Sequence, residues 1–165
     1  TVAMTLTANL AIKRWGIHAD RVGNIKVVRL TSKLIAILPL MWLINLNPVW
    51  LFFAQLLSGF AWAGFNLSTA NFVYDASTPG KRTRCIAYFN VLSGVSLCLG
   101  ALIGGWLALR LSSSIFTYSI MNIILISAVL RLVIAYLMPF NIKEVRDVEK
   151  IRSHQLVLSM LKIKE

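Results

Sequence analysis

The chain is short of acid. Of its 165 residues six are Asp or Glu, against 17 Lys or Arg, two His and two Cys. Asp20 and Asp75 are the acids that adjoin long apolar sequence, and neither has a second carboxylate or a His at a useful spacing. General acid–base and metal-assisted catalysis need such clusters, so an enzyme is not expected. His18 and His154 stand alone and read as solvated side chains. Cys85 and Cys98 lie 13 positions apart. On one helix that is about 20 Å, too far for a disulfide, and no metal-ligand spacing occurs. No glycine-rich loop cradles a phosphate, so a nucleotide-driven pump is not expected either. No cofactor and no metal site follow from these residues. Charged residues of both signs make up 14% of the chain, where soluble domains carry roughly 25%.

Apolar sequence fills the space that charge leaves. The composition is 58% hydrophobic and the mean hydropathy is +0.73. This predicts an all-α integral membrane protein. Residues 34–74 hold no charge. As one helix they would run for about 62 Å, twice a bilayer core of about 30 Å, so the run must turn once. Asn45, Asn47 and Pro48 supply the break, because the residue before a proline is pushed out of helical geometry. Four full spans are expected at residues 25–46, 48–74, 85–109 and 111–138, with Pro39 tolerated inside the first. Residues 1–12 are apolar but too few to cross, and read as the end of a helix that begins upstream. The bundle occupies residues 1–140. Residues 141–165 are a polar tail in which Leu156, Val157, Met160, Leu161 and Ile163 suit an amphipathic turn on the membrane surface.

The net charge of +11 would suggest nucleic acid on a soluble protein. Here the bases are collected into short segments, so the partner is the bilayer and no nucleic acid is expected. Six Lys or Arg fall between Lys13 and Lys33, three between Lys81 and Arg84, and six in the tail. Two spans separate each group from the next, so all three lie on one side. The other side holds Arg110, and Arg131 falls within the last span. The positive-inside rule places the three basic segments in the cytoplasm, for a protein of the cell (inner) membrane.

Between the first two apolar stretches lies Gly16-Ile17-His18-Ala19-Asp20-Arg21-Val22-Gly23-Asn24-Ile25-Lys26. It reads as a charged hairpin loop. Gly23 suits a positive φ and Gly16 a close backbone approach. Asp20 offers a carboxylate to a cation or to helix amides, and Arg21 a planar fork to a second carboxylate. The pattern G-x-x-x-D-R-x-G resembles the signature loop of the major facilitator superfamily of secondary transporters. It departs from that signature at Asn24 and Ile25, where the family has a base and this chain waits until Lys26. The family has four more helices after the signature in each six-helix half, and four spans follow it here.

A second similarity is Asp75-x-x-x-Pro79-x-Lys81-Arg82-x-Arg84. The resemblance implies that Asp75 pairs with Arg21 or its neighbours in one conformation, and that Lys26, Arg82 and Arg84 belong to the same cytoplasmic gate. Gly100-Ala101-Leu102-Ile103-Gly104-Gly105 looks like the family's G-P-x-x-G-G motif, with Ala101 in place of proline. Ser96, Gly100, Gly104 and Ala108 recur every four residues, with Gly105 beside them, and let a neighbouring helix pack close. The missing proline and the short polar tail suggest a fragment from the C-terminal half of a transporter, with the N-terminal half and a truncated central loop as the alternative.

On a helical wheel from Gln55, the residues Ser58, Gly59, Trp62, Asn66, Thr69 and Val73 fall within about 60° of one line. Polar groups facing lipid are costly, so this face should look into the bundle or a water-filled cavity. The resemblance agrees, since this span would be a cavity-lining helix. Gln55, Ser58, Trp62, Asn66 and Thr69 are the expected substrate contacts. The expected activity is secondary transport of a small solute by alternating access. The resemblance implies as partners a small-molecule substrate, a coupling proton or cation, and the other half of the transporter. The alternative is an accessory four-span protein that binds a partner, which has no need of the signature loop.

Overall fold

The computed structural model describes residues 2–110, 119–137, 142, 144 and 145. Five α-helices account for most of them: α1 Val2–Val22, α2 Asn24–Ile44, α3 Pro48–Asp75, α4 Arg82–Arg110 and α5 Ser119–Leu137. No strand occurs among the described residues. Four helices are long and apolar enough to cross a membrane: Asn24–Ile44, Pro48–Asp75, Arg82–Arg110 and Ile120–Leu137. The protein is an all-α integral membrane protein. The amphipathic tail segment and residues 111–118, expected to open the last span, lie outside the described residues.

The expected hairpin loop at Gly16–Lys26 is not a loop. α1 continues to Val22, and Gly23 alone separates it from α2. Gly23 has φ +94° and donates its N–H to the Ala19 carbonyl at 2.9 Å. With ψ 150° this is an extended conformation of positive φ, which glycine adopts readily because it has no Cβ. The reason α1 runs on is a buried stripe at Ala11, Trp15, His18, Ala19 and Val22, spaced three and four apart. His18, expected in solvent, is 3% exposed, and its Nδ1 lies 3.0 Å from the Arg14 carbonyl oxygen.

α1 and α2 both pack on α3, and α5 packs on α2. The centre of the first contact is Trp15, fully buried. Its Nε1 donates to the Phe60 carbonyl at 2.8 Å, and its ring lies 4.9 Å from that of Phe60. The indole fits because Gly64 has no side chain: a Cβ there would sit 2.6 Å from the Trp15 ring. Five residues earlier, a Cβ on Gly59 would overlap the Met4 carbonyl oxygen. Close helix approach over small residues is how membrane helices associate, since lipid is as apolar as their side chains. Gly16, expected to serve this purpose, leaves an ordinary 3.8 Å to Leu67.

Between α2 and α3, Asn45 Oδ1 accepts from the Asn47 N–H and Asn47 Oδ1 from the Val49 N–H, both at 2.9 Å. Pro48 then opens α3 at a position whose N–H would be unpaired anyway. Trp50 closes the turn by donating to the Met41 carbonyl at 2.8 Å. α4 stands apart, with no buried residue. A Cβ built on Gly100, Gly104 or Gly105 meets nothing within 4 Å. The small-residue stripe that includes Ser96 and Ala108 therefore has no helix seated on it among the described residues.

Candidate functional site

Two regions gather polar groups from separate helices. The first lies where α1 meets α2. Asn24 is fully buried, and its Nδ2 donates to Asp75 Oδ2 at 2.8 Å, joining the start of α2 to the end of α3. The residue that departs from the transporter signature is thus the one that reaches the acid. Glu144 Oε2 accepts from the Ile25 N–H at 2.8 Å. It occupies the capping place that Gly23, lacking a side chain, leaves open. A carboxylate there also faces the positive end of the α2 dipole. Arg29 donates from Nη2 to the Ile142 carbonyl at 2.9 Å. Ile142 and Glu144 are therefore bonded to the first turns of α2. Arg82 lies with its guanidinium carbon 5.5 Å from the Tyr74 ring centroid, and Lys26 is half-buried. Asp20, Arg21 and Arg84 are exposed. The structure brings Gly23, Asn24, Asp75 and Glu144 together and leaves Arg21 and Arg84 at the surface.

The second region is the polar face of α3. Trp62 lies where three grooves meet. One, of about 270 Å³, is bounded by Thr5, Ala8, Asn9 and Ile12 of α1 and by Trp62 and Asn66. Another, of about 470 Å³, is bounded by Leu38, Pro39 and Trp42 of α2, Ser58 and Trp62 of α3, and Ile124, Ser127 and Arg131 of α5. The third, of about 250 Å³, joins Trp62 and Phe65 to Ser32, Ile35 and Arg131. Phe65 holds the Trp62 ring edge-on at 5.7 Å. Gln55 is half-buried and bounds none of these grooves. Thr69 is half-buried, and its Oγ1 is inaccessible with no hydrogen-bond partner among the described residues.

Sequence reasoning missed Thr5 and Asn9, because residues 1–12 read as the end of a helix, too few to cross the membrane. Their spacing with Ile12, at i, i+4 and i+7, was the available signal. It also gave Arg131 no role, although a charge inside an apolar run is a functional signal in itself.

No curated protein and no solved structure matches the chain. The family model of the Major Facilitator Superfamily matches residues 1–163, nearly the whole chain. With a signature-like turn tied to the end of α3, four membrane-crossing helices and a match of that extent, the chain belongs to the major facilitator superfamily of membrane transporters.

Proposed function

We propose that this chain carries the solute site of a secondary transporter working by alternating access, with Trp62 at its centre. The observation that carries this reading is the position of Trp62. It is a half-buried aromatic residue on a membrane helix, at the meeting of grooves bounded by α1, α2, α3 and α5. Ligand sites in helical bundles sit between helices, with an apolar lining and a few polar groups to orient the solute. Ser58 and Asn66 supply such groups on α3, and Asn9 of α1 shares the groove of Asn66. The half-buried Asn24–Asp75 contact, with Glu144 beside it, is the gate that holds one conformation closed. Lys26, next but one to Asn24, and Arg82, stacked on Tyr74 beside Asp75, are the basic residues we assign to this gate.

The experiment is a scan of single cysteines along residues 55–73 of the full-length protein, in a background without Cys85 and Cys98. Reactivity towards a water-soluble thiol reagent is expected to peak at positions 58, 62 and 66 and to fall when the transported solute is present. Peak reactivity at Phe60, or no protection by any solute, would defeat the assignment.

Sidedness follows from the basic segments. Asn47 and Gly80 lie beyond opposite ends of α3, both exposed. In intact cells a membrane-impermeant reagent is expected to label Asn47→Cys, and to label Gly80→Cys only after the membrane is opened. Labelling of Gly80→Cys from outside would invert the topology.

A further inference from the structure

Arg131 lies 12 positions after the start of α5 and six before its end, so it stands well inside an apolar helix. Among the described residues, α2, α4 and α5 carry no carboxylate, and that of α3 is on its last residue, Asp75. A guanidinium at such a depth needs a partner or a short route to headgroups. Arg131 is exposed on the bundle, and its guanidinium is anchored by a hydrogen bond within its own helix. Nε donates to Ser127 Oγ at 3.3 Å, one turn back towards the helix start. The side chain therefore leans away from the membrane face at which α5 ends. That face is identified by Ile142 and Glu144, which bond to α2 at its start.

The direction taken leads into the groove between α2, α3 and α5. Arg131 is the charged residue among those that bound it, and the Ser58 and Ser127 hydroxyls are its neutral polar groups. The rest of the wall is apolar, with Trp42 and Trp62 as its large flat surfaces. Its volume of about 470 Å³ is within the range of small-molecule sites.

We propose that Arg131 is the anion-recognising residue of this groove and that the solute carried is an organic monoanion, a carboxylate on a flat apolar body. The inference rests on the transporter reading above and specifies its substrate class. The guanidinium offers parallel N–H donors that match a carboxylate's two oxygens. One cation in the groove is neutralised by one negative charge. A dianion such as a phosphate monoester would leave an uncompensated charge in a medium that penalises it. The apolar body packs against Trp42 and Trp62, and the hydroxyls of Ser58 and Ser127 take its remaining polar atoms.

The test uses the full-length protein in vesicles of zwitterionic lipid, with tryptophan fluorescence as the readout. The probes are benzoate, its neutral isostere benzamide, and phenyl phosphate. Benzoate is expected to quench saturably, with benzamide weaker by about tenfold or more, as befits the loss of a charged hydrogen-bonded pair. Arg131→Gln is expected to weaken benzoate by the same factor and to leave benzamide unchanged. Arg131→Lys, which keeps the charge and loses the fork, should fall between. Benzamide binding as tightly as benzoate to the native protein would overturn the proposal without any appeal to a variant. So would benzoate binding unaltered by Arg131→Gln, or phenyl phosphate binding more tightly than benzoate. If a neutral solute still protects cysteines at positions 62 and 66, the transporter reading stands while the anion assignment falls.

Discussion

Trp15→Ala is expected to lower the stability of the protein by about 3 kcal/mol, towards the lower end of the cost of truncating a buried tryptophan. The lower end applies because lipid is as apolar as the indole, so no transfer term from water is lost between membrane helices. What is lost is contact. The ring fills the space over Gly64 and against Phe60, and its N–H reaches a carbonyl of α3. Gly59→Ala probes the same seam by overfilling it. The added methyl would overlap the Met4 backbone carbonyl, and a backbone cannot swing aside as a side chain can. α1 would have to lift from α3, at an overpacking cost of about 1–3 kcal/mol. Gly100→Ala is the control. It meets nothing within 4 Å and should stay within about 0.5 kcal/mol of the native protein. Thermal unfolding of the purified protein in detergent reads all three. A Gly59→Ala protein that melts with the native one would mean that α1 does not sit on α3 as described.

Loss of the Asn24–Asp75 contact is expected to have the largest effect on transport. A hydrogen bond from a buried amide to a carboxylate contributes about 1.5–3 kcal/mol. If the bond exists in one conformation of the cycle and not the other, removing it changes their ratio by about ten- to a hundredfold. Asp75→Ala is therefore expected to leave the protein inserted and to slow uptake by at least about tenfold. The choice of partner is the sharper claim. A double-mutant cycle between Asn24 and Asp75 should give a coupling above about 1 kcal/mol, and one between the exposed Arg21 and Asp75 less than about 0.5 kcal/mol. The reverse order would return the gate to Arg21. Uptake in vesicles, with protein amount measured alongside, separates slow transport from poor insertion.

The family and the membrane-spanning, all-helical character follow from chemistry that acts along the chain. The charge-free runs, set against the thickness of a bilayer, require helices that cross it. An acid and a base between two glycines point to one family. The reading failed where a short stretch served two purposes. From Gly16 to Arg21 the glycine and the charges suggested a loop, yet the positions Trp15, His18, Ala19 and Val22 form a helical stripe that happens to be buried. Nothing local distinguishes a charged helix end from a charged turn until the surface that covers its apolar side is known. His18 was misplaced for the same reason.

What acts across distance needed the packed molecule. Asn24 and Asp75 are 51 positions apart, and Trp15 and Phe60 are 45 apart. Periodicity places each of these residues on a face of its own helix and says nothing of the helix opposite. The wheel put Gln55, Ser58, Trp62, Asn66 and Thr69 on one line. Packing then divided that line, sending Ser58 towards α5 and Asn66 towards α1, with Trp62 between them and Gln55 and Thr69 in neither groove. The residues that complete the proposed site, Thr5, Asn9, Trp42, Ser127 and Arg131, come from three other helices. Span number is a matter of length and hydropathy, which each segment carries by itself. Which polar groups meet depends on how closely helices approach, and that is set at Gly59 and Gly64 by the absence of a single carbon atom.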